Sequence, residues 1–533
     1  MNKTQQQIGT LISGSLAEGF VMRLGSTVEL EQIKTGKFVV VRGRSHTFFS
    51  IITDLKIEIA RAEVAQFPPA QNSLLANVLQ EYDMFASAFL RPMLMLSDSG
   101  QRMPVKTIPP HFSPVYEASH DDIATVFGDE KLDNTKYFSI GNPLDMDAPV
   151  CINLDKLTER SNGIFGKTGT GKTFITRLIL AGLIKSEKAV NLVFDMHSEY
   201  GLQARQEGTE KAFVKGLKTL FPSKVAIFSL DAVSTRRRGS SPDVTIELTY
   251  DSISVEDVLG LQNELNLHAT AVEAAYLIVA KHRKNWLKAL LDCDGDLKDF
   301  AQSVGAHPES IAALYRKLKR IERLPFFTKN HTSNVVDQMI EYIDRGIHVI
   351  VEFGNYTSSF CYLLIANMIT RKLHTAYIAK TEKFLGSQDK RDEPRKLLIT
   401  IEEAHKFLNP TAAKQTIFGI IAREMRKYYV SLLVVDQRPS GIDAEVLSQI
   451  GTKFIAQLND DNDIQAALTG VSGAQQLKTV LSTLDSKKQA LVLGHAIAMP
   501  VVIKTREYDQ KFYSAMAPIT ASTSTKKLVE ELF

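Results

Sequence analysis

Two clusters of residues in this chain have the types and spacing of a nucleotide-hydrolysing centre. The first is Gly166-Lys167-Thr168-Gly169-Thr170-Gly171-Lys172-Thr173, which fills every fixed position of G-x-x-x-x-G-K-T. Glycines at those positions let backbone N-H groups turn inward around a triphosphate, so this run is a candidate phosphate loop. Lys172 would reach the β- and γ-phosphates of ATP, and Thr173 would set its hydroxyl on Mg²⁺. The second cluster is Leu397-Leu398-Ile399-Thr400-Ile401-Glu402-Glu403, an apolar run that ends in two carboxylates. Glu402 would hold Mg²⁺ through water, and Glu403 would polarise the water that attacks the γ-phosphate. Paired acids at this point favour hydrolysis over mere binding. Alone, an acid-tipped strand is equally a plain sheet edge.

These groups work only if strands and helices carry them to one place. The loop follows the short apolar run Gly163-Ile164-Phe165 and leads into Phe174-Ile175-Thr176-Arg177-Leu178-Ile179, which has the pattern of a helix start. Strand, loop, helix is the setting the motif needs, and the helix N-terminus adds partial positive charge behind the phosphates. A second buried-strand pattern, Ala189-Val190-Asn191-Leu192-Val193-Phe194-Asp195, is followed by Met196-His197-Ser198-Glu199-Tyr200. Ligands of an open parallel sheet lie where strands end, so Asp195, His197 and Glu199 are expected at the crevice of the loop. His197 by itself is more often structural. Further strands are predicted at Lys224 to Asp231, Gly346 to Phe353 and Val430 to Val435, the last tipped by Asp436-Gln437-Arg438-Pro439. Gln437 is placed to sense the γ-phosphate. Before that strand a helix carries Arg423 and Arg426, three apart on one face. Each is either a local ion-pair partner or a cation lent to a neighbouring subunit's transition state.

The remainder sets bounds. A chain of 533 residues, with 44% hydrophobic and 23% charged residues, has the composition of an ordinary globular protein of several domains. The net charge of +3 leaves nucleic-acid contact to local basic clusters. The three cysteines, Cys151, Cys293 and Cys361, have no C-x-x-C spacing, which argues against a zinc site or a disulfide framework and fits a reducing cytoplasm. No apolar leader or stretch of about 18 apolar residues appears, so no membrane span is expected. Residues 8 to 65 read as short strands broken by glycine, Gly9 to Ile12, Gly19 to Leu24, Phe38 to Arg42 and Phe48 to Ile52, which suggests a small antiparallel barrel for ligand binding or docking. Residues 70 to 150, with Pro92, Pro104, Pro109-Pro110 and Pro114, read as irregular extension and connector. The run Arg236-Arg237-Arg238 is either a solvated loop or a phosphate-backbone contact. Residues 253 to 325 show helical spacing rich in Lys and Arg, serving DNA, a partner or solubility. After the strand at 346 to 353 a helix is expected to about Ala379, with a charged loop from Thr381 to Lys396.

In this order, the phosphate loop, Asp195-Met196-His197-Ser198-Glu199-Tyr200, Ile401-Glu402-Glu403-Ala404-His405, Arg423-Glu424-Met425-Arg426-Lys427-Tyr428 and Asp436-Gln437-Arg438-Pro439-Ser440 resemble the HerA-type ATPases and their FtsK relatives. The resemblance covers most of the chain. It implies an α/β, RecA-like P-loop core with a helical insertion and an N-terminal small β-barrel. The boundaries that follow are a barrel and connector at 1–150, core at 151–250, helical insertion at 251–335, core at 336–512 and a C-terminal arm at 513–533. It further implies a homo-hexameric ring with composite ATP and Mg²⁺ sites around double-stranded DNA. A NurA-like nuclease or other effector would bind at the barrel. By the same resemblance Lys172 and Thr173 are the Walker A pair, Glu402 and Glu403 the Walker B pair, Gln437 the sensor, Arg426 the finger and Arg160 a second basic residue at the subunit boundary. Met425 stands where that family usually has glycine, and so does Ser198. The expected activity is ATP-driven translocation on duplex DNA, in DNA end processing or antiviral defence, in the cytoplasm. The alternative is an ATP-switched scaffold that activates an effector enzyme.

Overall fold

The computed structural model describes residues 7–25, 28–59, 84–205, 213–293, 296–328, 335–471, 474–482, 484 and 488–516. Two units are distinct, Met1–Asn153 with Leu491–Arg506, and Leu154–Ala490 with Glu507–Phe533. Of the C-terminal arm expected at 513–533, only residues up to Met516 fall inside the described residues, at the end of the helix Gln510–Met516.

The first unit is built on alternation. Along Gly19–Leu24 buried and half-buried side chains alternate, and Phe38–Arg42 is rich in valine, so these segments make strands with one face on a core. The resulting seven-stranded sheet closes on itself because Gly19–Leu24 pairs with both Gln7–Ser15 and Met84–Ser97. At this seam Gly19 has φ 94°, and a Cβ there would lie 2.6 Å from the Leu90 carbonyl, so only glycine fits. Phe20, Met22, Val39, Val41, Phe48, Leu90 and Val115 fill the barrel.

The proline-rich stretch is more ordered than its composition suggests. Met84–Ser97 is the long partner of His46–Ile59, and Pro114–Glu117 is a further barrel strand. Proline is tolerated because Pro92 sits opposite Ser50, where the register slips between Phe49 and Ser50, so its missing N-H falls at a bulge. Pro114 stands at a strand start. Downstream, Ser119 caps the helix His120–Phe127 in a reciprocal capping box with Asp122. The antiparallel strands Tyr137–Pro143 and Val150–Asn153 follow, and Val501–Thr505 pairs with the first of them.

In the second unit the central strands are continuous buried runs, mostly apolar, as strands covered on both faces must be, while the edge strand Val244–Thr245 is more exposed. They run parallel in the order Val244–Thr245, Val225–Ser229, His348–Glu352, Val190–Asp195, Leu397–Glu402, Val430–Asp436, Asn162–Phe165 and Thr452–Ile455. In-register partners Phe165 and Asp436, Asp195 and Glu352, and Glu402 and Val435 bring the carboxyl ends of these strands to one edge.

Helices replace sheet between residues 250 and 326. The short parallel pair Leu248–Thr249 and Phe327–Thr328 brackets this insertion at its base. Its helices Ala269–His282, Trp286–Leu291, Leu297–Val304 and Pro308–Leu318 bury Ile278, Leu287, Leu290, Ile311 and Leu314. Trp286 is 1% exposed and donates its indole N-H to the Ile253 carbonyl at 2.9 Å. The insertion is tied to the long helix Ser359–Ser387 by Arg371, whose Nε and Nη2 meet the two Asp257 oxygens at 2.9 and 2.7 Å. That helix overruns the expected loop from Thr381. Thr381 donates its hydroxyl to the Tyr377 carbonyl, and the helix stops only where Gln388 takes a left-handed conformation. No helix among the described residues is long and apolar enough to cross a membrane.

Candidate active site

The loop between Asn162–Phe165 and the helix Lys172–Ser186 has the backbone its glycines permit. Gly169 has φ 80° and Gly171, at the helix N-cap, φ 96°. Gly171 at the N-cap makes no side-chain capping bond, and the N-terminus of this helix faces the loop, the place where a helix favours an anion. Lys172 lies across the loop, with Nζ donating to the Lys167 carbonyl at 2.9 Å, and Thr170 donates to the same oxygen at 2.7 Å. Lys167 Nζ reaches the Asn459 side-chain oxygen at 3.4 Å. Gly166 is packed so closely that a Cβ would meet Ala456 and Thr170 at 2.8 Å.

Beside the loop stands a set of acids. Thr173 donates its hydroxyl to Glu199 Oε2 at 2.9 Å. Glu199 is held in turn from behind: its carbonyl accepts from Arg177 Nε at 3.1 Å, and its N-H donates to Asp195 at 2.8 Å. Asp195 is fully buried and also accepts the N-H groups of Tyr200 and Gly201, which fixes the turn after its strand. Burial first, and the Glu352 carboxylate second, push Asp195 up to about 7. Glu402 takes the Tyr200 hydroxyl on Oε1 at 2.7 Å, while its Oε2 is buried without a hydrogen-bond partner. Burial and then Asp195 push Glu402 up to about 8. His197 is exposed.

Glu403 has a left-handed backbone, φ 48°, which turns it off the line of the strand. Gln437 Nε2 donates to both of its oxygens, at 3.2 and 3.4 Å, and Gln437 Oε1 accepts the Thr168 hydroxyl at 2.7 Å. Thr168 of the loop, Gln437 and Glu403 are thus linked in one hydrogen-bonded chain.

The arginines differ among themselves. Arg423 is half-buried and donates Nη2 to the Ala413 carbonyl at 3.0 Å. It sits on the helix Ile417–Glu424, whereas Arg426 belongs to the 3-10 turn Met425–Tyr428, so the two do not share one α-helical face as the spacing suggested. The Arg426 side chain lies outside the described residues. Arg160 is exposed, and its stem lies against Gly451, where a Cβ would approach it to 2.7 Å. The run at 236 to 238 is neither simple loop nor free cation: Arg236 and Arg237 end the helix Ala232–Arg237, and Arg238 pairs with the buried Glu352 at 2.6 Å.

Sequence reasoning missed Glu352, Tyr200, Arg177 and the His405–Asp436 pair. Glu352 carried the same signal as Asp195, an acid at a strand end. The others depend on neighbours across the sheet, which spacing along one chain does not reveal.

Comparison with known proteins agrees with this geometry. The family described as "Helicase HerA, central domain" matches residues 138–373. The DNA double-strand break repair helicase HerA of Pyrococcus furiosus is 22% identical over 423 residues, covering 74% of this chain and 73% of the relative. The protein of that name from Sulfolobus acidocaldarius is 24% identical over 414 residues, covering 75% and 74%. A probable helicase of Methanocaldococcus jannaschii is 22% identical over 531 residues, covering 94% and 96%. Among solved structures, VirB4 of Thermoanaerobacter pseudethanolicus aligns with a TM-score of 0.47 at 12% identity, covering 71% of this chain and 98% of that one.

The parallel sheet, the loop with its lysine and the acid-tipped strand two places away in the sheet define a P-loop ATPase. Within that class the chain is similar to the HerA helicases.

Proposed function

We propose that this chain hydrolyses Mg²⁺-bound ATP and uses the cycle to move double-stranded DNA through a homo-hexameric ring. The observation that carries the reading is the chain Thr168–Gln437–Glu403, which couples the nucleotide loop to the acid that would activate water. Lys172 would hold the β- and γ-phosphates. Glu403 would accept the proton of the attacking water, and Gln437 would report the γ-phosphate. Arg426, Arg160 or Arg423 would reach a neighbour's nucleotide.

Oxygen donors suit magnesium, and the residues present fit it: the Thr173 hydroxyl, and the Glu402 carboxylate with its unpartnered buried Oε2. Among the described residues no group of three or more acids, histidines or cysteines forms a ready-made metal cage. That pattern matches a cation brought in by phosphates and completed by one or two protein oxygens. When bound it would neutralise charge on the β- and γ-phosphates.

The DNA substrate rests on the relatives' role in DNA double-strand break repair. A NurA-like nuclease or another effector docked on the barrel, a repair or antiviral setting and a cytoplasmic location belong to the same reading. Duplex DNA should raise the ATPase rate of intact rings at low salt, with the stimulation fading as salt rises. Unstimulated hydrolysis by intact rings would sink it. The scaffold alternative is favoured by the same Thr168–Gln437–Glu403 chain, since nucleotide occupancy alone would alter it. A scaffold would still change its partner's activity when Glu403 is replaced by Gln.

A further inference from the structure

The short helix His405–Leu408 follows the Walker B strand, and its first residue faces two acids. His405 Nδ1 lies 3.0 and 3.1 Å from the two Asp436 oxygens and 3.7 Å from Glu403 Oε2. Asp436 is buried and also accepts the N-H groups of His405, at 2.6 Å, and Arg438, at 2.7 Å. With those two N-H groups also directed at it, Asp436 serves as the acceptor, and Nδ1 is the ring atom placed to donate to it. From the other side Gln437 holds Glu403 through its amide. The carboxylate of Glu403 therefore sits between an imidazole and an amide, both anchored at the end of the strand Val430–Asp436, and its own backbone is in the left-handed region.

We propose that His405, locked by Asp436, is a positioning residue for hydrolysis: it orients the Glu403 carboxylate without touching the nucleotide. The inference rests on the reading of Glu403 as the group that activates water. The charged groups facing the imidazole are Asp436, Glu403 and Lys406, and the Asp436 hydrogen bond outweighs burial in holding His405 above the ordinary histidine range. A purely structural His405 would hold the turn at Asp436 and leave turnover alone. A positioning His405 acts on kcat.

The test is steady-state ATP hydrolysis by the full-length chain, with binding of a nonhydrolysable ATP analogue measured in parallel. His405→Ala should lower kcat roughly 10–100-fold with KM for ATP within about twofold of wild type. His405→Asn, which keeps a short N-H donor, should recover most of that loss. Glu403→Gln separates the two ideas. If Glu403→Gln still hydrolyses ATP, the reading of Glu403 itself falls. If it is dead while His405→Ala turns over at the wild-type rate, or if Asn does no better than Ala, the positioning inference alone falls.

Discussion

Thr173 has one hydroxyl and two claims on it. It now donates to Glu199, and a nucleotide-bound cation would take its lone pair. Serine keeps the group and alanine removes it. Thr173→Ser should therefore retain ATPase activity, while Thr173→Ala should raise the Mg²⁺ concentration needed for half-maximal hydrolysis by about tenfold or more; a magnesium titration of the two variants checks this. A different residue governs acid stability. His348 is buried, accepts the Asn191 N-H on Nδ1 at 2.9 Å and is pushed down to about 3 by burial. A base with a depressed folded pKa contributes stability above its unfolded value near 6.5, and that contribution is lost as pH falls from there toward 3. The melting temperature of wild type should thus fall more steeply between pH 6.5 and 4.5 than that of His348→Asn, whose amide oxygen accepts the same bond without titrating. Equal slopes would show that His348 is not protonated on unfolding.

Elements that follow one local rule were legible in the sequence, and those fixed by distant partners were not. The phosphate loop, the buried strands at 190–195, 397–402 and 430–436 and the helical insertion all announce themselves by motif or period. Met84–Ser97 did not, because Pro92 looks like a breaker until its bulge opposite Ser50 is seen. Charged residues from Thr381 onward read as loop, yet the helix runs on to Ser387, because Tyr377, Thr381 and the turn at Gln388 decide its length. The same long helix carries Arg371, the clamp on the insertion. Asp257 is 2% exposed, so Arg371→Ala leaves a buried carboxylate with only its Ser254 capping bonds. The expected loss is roughly 2–4 kcal/mol in the stability of this part of the chain. A lower urea midpoint for Arg371→Ala, with Arg371→Ala/Asp257→Asn partly restored, is the checkable outcome.

At the scale of the whole molecule, a site that needs a neighbour's arginine can be complemented by mixing. In the proposed ring, Lys172→Ala and Arg426→Ala chains should each lack activity, and assemblies of both should regain a measurable fraction, because some interfaces would then pair an intact loop with an intact arginine. Arg160→Ala tests the second basic position in the same way. No recovery on mixing, with assembly verified by mass, would place the whole site within one subunit. The base of the insertion has a consequence of another kind. Leu248–Thr249 and Phe327–Thr328 run in the same direction, and parallel neighbours cannot be joined by a tight turn. A chain that dispensed with these helices would need enough backbone to travel back along the strand before re-entering the core. Evolutionary change in this region should accordingly come as the gain or loss of entire helical segments, with single-residue insertions and deletions gathered in the connections between them.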